Sequence, residues 1–197
     1  ESEWDAFSDD ELLALTDRAT PDRIFCVEAA LRRGLGIERV YDACRIDPWF
    51  LDQMSLVTEE RAALTGRSSA QLDRREWRRA KQLGFSDAQL AYLWSEPEAD
   101  VRSARVAAGV LPTYKTVDTC AAEFAALTPY HYSTWEDESE VRPSTRPKVI
   151  ILGSGPNRIG QGIEFDYGCV HASFALRDAG FETVMINRSE ERRVGKE

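Results

Sequence analysis

The sequence lacks a long hydrophobic run and an excess of positive charge. No apolar segment approaches the roughly 18 residues that would span a membrane, and Glu1-Ser2-Glu3-Trp4-Asp5 does not have the pattern of a secretory signal peptide. The chain has 25 Lys and Arg against 34 Asp and Glu, a net charge of −9. This balance argues against non-specific binding of nucleic acid. We therefore expect a cytoplasmic globular protein that binds neither membranes nor nucleic acids.

Metal-binding and nucleophile patterns are also scarce. Neither His131 nor His171 has a second histidine or cysteine at ligand spacing, so we expect both to be structural and predict no metal site. The chain has no Cys-x-x-Cys pair and no serine or cysteine nucleophile motif. We expect buried, reduced thiols at the four cysteines, which are Cys26, Cys44, Cys120 and Cys169.

An initiator methionine is missing as well, which leads us to expect part of a longer polypeptide. Over residues 1–113 the sequence predicts short helices with tight connections, typical of a compact all-helical domain. Ser8-Asp9-Asp10-Glu11 and Ser86-Asp87-Ala88-Gln89 have the capping-box pattern of a helix start. The two segments resemble each other either through capping physics alone or as an internal repeat.

Proline and glycine delimit three further helices in this region. The first carries Ile24, Val27, Ala30 and Leu31 on one face. The predicted limits are Thr20-Pro21 to Gly34, Pro48 to Gly66, and Ser95 with Pro97 to Gly109.

Residues 114–146 have a different pattern, which predicts an ordered, mostly extended connection. Prolines interrupt the segment, but it contains too many aromatic residues for a disordered linker. We expect its acidic run, Glu136-Asp137-Glu138 with Glu140, to be a solvated surface.

Residues 147–187 predict the start of an α/β domain. Val149–Leu152 and Thr183–Ile186 read as strands, and a helix lies within Glu164–Ala179 with Gly180 as its cap. Two strands and one helix cannot bury a core alone, so we expect this domain to be truncated.

A glycine-rich loop joins the first of these strands to the helix. It is not a dinucleotide fingerprint, because Arg158 stands where a glycine belongs, and it is not a P-loop, because Gln161 stands where a lysine belongs. The glycines serve either a tight turn or a ligand site in which Arg158 pairs with an anion. Glu164 and Asp166 act either as helix caps or in the site. The loop glycines are Gly153, Gly155, Gly160 and Gly162.

Residues 153–167, Gly-Ser-Gly-Pro-Asn-Arg-Ile-Gly-Gln-Gly-Ile-Glu-Phe-Asp-Tyr, resemble the segment that opens the second synthetase half in the carbamoyl-phosphate synthase large-subunit family. Residues 114–124, Tyr-Lys-Thr-Val-Asp-Thr-Cys-Ala-Ala-Glu-Phe, are equally similar to it, as are 132–136 and 143–145. Residues 22–24 and 46–51 resemble its helical oligomerisation domain. The resemblance covers the chain from about residue 20 through Asn187.

This resemblance implies a mainly α-helical oligomerisation domain over residues 1–113 and an ordered extended connecting segment over 114–146. It implies that residues 147–187 are the truncated start of an α/β domain of the pre-ATP-grasp, Rossmann-like type.

The resemblance also implies an ATP-dependent ligase subunit that makes carbamoyl phosphate from bicarbonate, ammonia released from glutamine, and two ATP, for arginine and pyrimidine biosynthesis. It implies ATP with Mg²⁺ or Mn²⁺ in the full enzyme, a glutamine-hydrolysing small subunit as partner, and self-association through the helical domain. The family's ATP and metal ligands lie downstream. We therefore expect no catalytic, cofactor-binding or metal-binding residue in this chain, which should be inactive alone.

By the same resemblance, Gly162 matches a small residue that lines a carbamate tunnel, and Glu164 matches a carboxylate near it. A glycine leaves room for a ligand to pass, which fits that role. The candidate tunnel or loop residues are Gly153, Gly155, Arg158, Gly160, Gln161, Gly162 and Glu164.

After Asn187 the sequence departs from the family. Residues 188–197, Arg-Ser-Glu-Glu-Arg-Arg-Val-Gly-Lys-Glu, resemble a translated sequencing adapter, and we expect them to be an artefact of read assembly. Two other interpretations stay open: another ATP-grasp ligase with a similar first domain, and a non-catalytic helical oligomerisation module.

Overall fold

The computed structural model of the chain describes residues 3–118, 121, 123–124, 130–153 and 164–186. The chain divides into two units, Glu1–Val141 and Arg142–Glu197. The described part of the first unit is mainly helical, and that of the second is a strand, a helix and a strand.

The first unit contains two short 3₁₀ segments and a series of α-helices among its described residues. The 3₁₀ segments are Glu3–Ala6 and Ser69–Gln71. The helices are α1 (Asp9–Asp17), α2 (Arg23–Arg32), α3 (Ile37–Cys44), α4 (Pro48–Leu64), α5 (Arg74–Gln82), α6 (Asp87–Trp94) and α7 (Glu98–Ala107).

Local capping signals start several of these helices. In α1 the Ser8 side chain accepts a hydrogen bond from the Glu11 amide, and the Glu11 carboxylate accepts one from the Ser8 amide. Ser86 and Gln89 make the same reciprocal pair at α6. Both predicted capping boxes are confirmed, because each depends on residues only three positions apart. A third box, which the sequence analysis missed, opens α5.

Two predicted helix starts are wrong by a few residues. The Thr20 carbonyl accepts a hydrogen bond from the Arg23 amide at 3.2 Å, so Thr20-Pro21 belongs to a turn and α2 begins at Arg23. Ser95 ends α6 in the left-handed conformation with φ 56°, and Pro97 is the N-cap of α7. The predicted glycine ends are confirmed by positive φ angles at Gly34, Gly66 and Gly109.

Two hydrophobic cores hold the helices together. Burial of their apolar side chains supplies the main driving force for folding this unit. The first joins α1 to α4 through side chains that include Leu12, Val27, Val40 and Leu51. The second joins the end of α4 to α5, α6 and α7 through side chains that include Leu64, Trp77, Leu90 and Val101.

Two predictions concern these cores: that the cysteines are buried as free thiols, and that Ile24 lies on the buried face of α2. Cys26 and Cys44 are free and buried in the first core, as predicted, whereas Cys169 is free but only half-buried. Cys120 lies outside the described residues. Ile24 is 56% exposed, so the prediction that it shares the buried face of α2 is wrong. The core covers α2 only from Cys26 onward.

Much of the described part of residues 114–146 is extended, although Ala121 lies in a turn with φ 50°. Strands β1 (Thr113–Val117) and β2 (Tyr130–Thr134) pair antiparallel, with Thr113 opposite Thr134 and Val117 opposite Tyr130. The segment after β2 then returns along β1, where the Glu140 amide donates to the Tyr114 carbonyl at 2.8 Å.

The acidic run is exposed, as predicted, and some of its residues also form ion pairs. The Glu140 carboxylate accepts a hydrogen bond from the Thr116 amide at 2.6 Å and lies 3.3 Å from the Lys115 ammonium. These contacts lower the pKa of Glu140. Asp137 forms an ion pair with Arg78 of α5. The sequence could not show these pairs, because most of their partners are more than 20 residues away in the chain.

The second unit confirms the predicted strand, helix and strand. Its elements are β3 (Lys148–Leu152), α8 (Glu164–Asp178) and β4 (Glu182–Ile186), and the two strands pair in parallel. Gly180 follows the helix with φ +91°, a left-handed conformation that favours glycine, as predicted for the cap.

Candidate functional site

The carboxyl ends of the two parallel strands meet at one edge of the second unit. Leu152 of β3 lies opposite Ile186 of β4, and the Gly153 amide donates a hydrogen bond to the Ile186 carbonyl at 2.8 Å. Gly153 therefore holds the first position after the paired strands. In parallel α/β sheets, ligands bind outside the carboxyl ends of the strands. This edge is the candidate functional site.

The remaining loop candidates come between Gly153 and α8. Glu164 is the first residue of that helix, so the loop leads from the carboxyl edge of β3 to a helix N-terminus. This is the backbone arrangement that the sequence predicted. Gly155, Arg158, Gly160, Gln161 and Gly162 lie outside the described residues, and their predicted roles stay predictions.

Helix α8 covers one face of the strand pair. The Ser173 hydroxyl lies 2.8 Å from that of Thr183 on β4, and both Val149 and Ile151 of β3 are partly buried. The opposite face is apolar and open to solvent. Its side chains, with exposed fractions from 40% to 77%, are Ile150, Leu152, Val184 and Ile186.

The histidines and carboxylates do not form a metal centre within the described residues. His131 lies 3.4 Å from the Thr116 hydroxyl across the hairpin, and His171 lies between Tyr167 and Phe174 on α8. No group of three histidine, cysteine, aspartate or glutamate side chains in the described ranges is arranged to hold a metal ion.

A cluster of buried charges in the helical unit was missed by the sequence analysis. The Asp87 carboxylate accepts hydrogen bonds from Lys81 at 3.0 Å and from Arg105 at 2.9 and 2.8 Å. All three residues are less than 10% exposed. Each cation also donates to a backbone carbonyl, Lys81 to that of Phe85 and Arg105 to that of Val110. Asp87 was predicted only as part of a capping box, and no local pattern indicates its distant partner Arg105.

The electrostatics of this cluster favour a structural role. Burial would raise the pKa of Asp87, but hydrogen bonds and charges from Arg105 and Lys81 outweigh it and lower the pKa to about 2. Burial lowers the pKa of Lys81 against the opposing effect of Asp87. Because Lys81 and Arg105 bond both Asp87 and backbone carbonyls, and the more exposed Arg102 lies 3.6 Å from the same carboxylate, we regard the cluster as a structural ion-pair network.

Comparison with known protein families shows which family the chain belongs to. The family model described as the oligomerisation domain of the carbamoyl-phosphate synthetase large chain matches residues 1–109, more than half of the sequence. The chain belongs to the carbamoyl-phosphate synthetase large-chain family. A second model, the carbamoyl phosphate synthase pre-ATP-grasp domain, matches residues 145–193. That match reaches into residues 188–197, whose origin as an artefact stays a prediction.

Similar proteins carry the same family name along most of this chain. The carbamoyl phosphate synthase large chain of Clavibacter michiganensis subsp. michiganensis is 59% identical over 182 residues, which is 92% of this chain and 16% of that relative. Those of Streptomyces griseus and Thermus thermophilus are 58% and 56% identical over 181 and 171 residues. The two alignments cover 92% and 87% of this chain, respectively, and this chain spans 16% of the length of each relative.

The family assignment confirms the predicted fold class. A mainly helical oligomerisation domain is followed by the start of an α/β pre-ATP-grasp domain. Over the described residues, none of the helices has the length and hydropathy needed to cross a membrane.

Proposed function

We propose that this chain works as part of the large chain of a carbamoyl phosphate synthase. Such a ligase makes carbamoyl phosphate from bicarbonate, ammonia released from glutamine, and two ATP, and supplies arginine and pyrimidine biosynthesis. The observation that carries this proposal is the occurrence of two family models in sequence order on one chain, at residues 1–109 and 145–193. The high identity to proteins named carbamoyl phosphate synthase large chain supports it.

The proposal assigns ATP and its Mg²⁺ or Mn²⁺ to parts of the longer protein outside this chain. The described residues do not fit a metal, since no three potential ligands cluster among them. We propose that the chain alone is inactive. The proposed partner is a glutamine-hydrolysing small subunit, and the proposed location is the cytoplasm.

The domain limits are part of the proposal. Residues 1–113 form the oligomerisation domain, 114–146 connect it to the α/β domain, and 147–187 begin that domain. Residues 188–197 are proposed to be foreign to the protein.

The proposed task of the glycine loop is to shape a passage for carbamate. Gly162 would leave the passage open, Glu164 would lie beside it, and the other loop residues would form its wall. The position of Gly153 at the carboxyl edge of β3, with α8 beginning at Glu164, supports this assignment.

Self-association through the helical unit is proposed from the oligomerisation-domain match and from apolar side chains left in solvent. Four large ones lie in the first turns of α2 and α4, and each is more than half exposed. Arg23 contacts the Cys44 carbonyl, which brings the start of α2 close to the chain that enters α4. The four side chains are Ile24, Phe25, Trp49 and Phe50.

A segment exchange tests the proposed enzyme activity. The matching segment of the Thermus thermophilus large chain is replaced by this chain through Asn187, and the chimera is combined with its small subunit. The control chimera carries the Clavibacter segment instead. We expect both to form carbamoyl phosphate from glutamine, bicarbonate and ATP. An inactive, folded chimera beside an active control would overturn the proposal.

A further inference from the structure

The segment that follows β2 rests on the helical unit through Trp135. The half-buried indole packs against the second hydrophobic core. Its ring lies over two cations, with the Lys81 ammonium 4.8 Å and the Arg105 guanidinium carbon 5.0 Å from the ring centroid. The face of an aromatic ring attracts a cation, and the attraction is stronger where both groups are shielded from water. Trp135 therefore occupies a defined position on the surface of the helices. We call this surface, formed by Lys81, Arg105 and the edge of the second core, its seat.

Contacts on either side of the indole extend this seat along α5. The Trp135 carbonyl accepts a hydrogen bond from the Gln82 side chain at 3.3 Å, and Asp137 forms an ion pair with Arg78. Arg78, Lys81 and Gln82 are three and four residues apart, so they share one face of α5. One helix face thus contacts the indole, the backbone and the carboxylate of residues 135–137.

The buried ion-pair network keeps this seat in place. Asp87 holds Lys81 and Arg105 through three hydrogen bonds, none of which involves Trp135. Removal of the indole would leave the network's own bonds intact. Residues 135–137 should therefore be able to leave this surface without disrupting the ion-pair network beneath it.

We propose that residues 135–137 form a latch that fastens the connecting segment to the helical unit and opens without unfolding that unit. The latch thereby determines how firmly residues 130–141 are held against the helical unit, whether or not the proposed enzyme activity holds.

Hydrogen exchange of the complete chain, followed by mass spectrometry, tests the latch. Trp135→Leu removes the aromatic face, Trp135→Phe keeps one, and Phe7→Leu is the control at an exposed aromatic residue outside the latch. We expect Trp135→Leu to speed amide exchange in residues 130–141 about tenfold, equivalent to about 1.4 kcal/mol. Exchange in α6 should change by less than about twofold. Trp135→Phe should retain most of the protection, and Phe7→Leu should leave exchange in residues 130–141 unchanged.

Two results would overturn the latch. Unchanged exchange of residues 130–141 in Trp135→Leu would show that the indole does not fasten the segment. An equal acceleration in α6, or loss of folding, would show that Trp135 is an inseparable part of the core. Asp137→Ala provides the milder variant, because it removes only the ion pair to Arg78 and should accelerate exchange in the same residues to a smaller extent.

Discussion

The Asp87 carboxylate is buried beside Lys81 and Arg105, with the more exposed Arg102 3.6 Å away, and we expect its charge to stabilise the helical unit. Asp87→Asn keeps the shape but leaves Lys81 and Arg105 buried without a counter-charge. Loss of one partner from a buried pair costs about 3–5 kcal/mol of unfolding free energy. Urea titration should show this loss. The exposed Asp52→Asn on α4 is the control and should change stability by less than about 0.5 kcal/mol. Similar effects of the two variants would contradict the account.

The same residue should leave a signature in the pH dependence of stability. The pKa of Asp87 is about 2 in the folded chain, below its ordinary value of 3.8. The lowered pKa stabilises the folded chain. This stabilisation is fully present above the pKa that Asp87 has in the unfolded chain, and it is lost as the pH falls through the pKa that Asp87 has in the folded chain. Between pH 5 and 2 the original chain should lose roughly 2 kcal/mol more than Asp87→Asn. Parallel pH profiles would show that Asp87 is not the titrating group.

At the scale of the helix, α6 ends on a residue that is poorly suited to its conformation. Ser95 has φ 56°, in the left-handed region that glycine adopts without steric cost. Ser95→Gly should therefore raise the free energy of unfolding by about 0.5–1 kcal/mol. Ser103→Gly, within α7, is the matched control and should lower it by about 0.5 kcal/mol. Thermal unfolding of the two variants measures both, and a destabilised Ser95→Gly would refute this reading of the cap.

Elements with local signals could be predicted from the sequence, and elements defined by tertiary contacts could not. The boxes at Ser8 and Ser86 depend on neighbours three residues away, so their helices were found. Helix α5 was missed because its sequence is mostly charged, although Trp77 and Ala80 are buried at helical spacing. Helix α3 was missed as well, since only Val40 and Cys44 are buried in it.

At the candidate site, too, features with local sequence signals could be predicted and features that depend on tertiary contacts could not. The order of strand, glycine loop and helix could be predicted, because an apolar run before glycines and a helical pattern after them are local features. The seat of Trp135 could not, because Lys81 and Arg105 come from two helices far from it in sequence. The sequence motif around Trp135 carried the family resemblance but did not indicate what the indole contacts.

At the scale of the whole molecule, the helical unit should self-associate through its exposed apolar residues. We expect sedimentation of the chain to show a concentration-dependent oligomer. Phe25→Asp should weaken it at least about tenfold, because a charge in an apolar contact is costly to desolvate. Val106→Asp, at a 47% exposed position of α7, is the control. A monomer at all concentrations would refute self-association, while an oligomer unaffected by Phe25→Asp would refute only this surface.

The proposed passage at the glycine loop can be tested in the Thermus chimera. Gly162→Leu adds a bulky side chain to the wall, so carbamate should escape and ATP hydrolysis should continue without product. The amount of ADP formed per carbamoyl phosphate should rise well above that of the unaltered chimera. Gly168→Ala, on α8 where an added methyl group meets open space, is the control. An unchanged ratio in Gly162→Leu would remove Gly162 from the passage.

The ratio of ADP to carbamoyl phosphate in the unaltered chimera tests the central claim most directly. If this chain is part of a carbamoyl phosphate synthase large chain, the chimera should form two ADP for each carbamoyl phosphate and require both bicarbonate and a nitrogen source. ADP formation without carbamoyl phosphate, in a folded chimera whose Clavibacter counterpart is fully coupled, would contradict it.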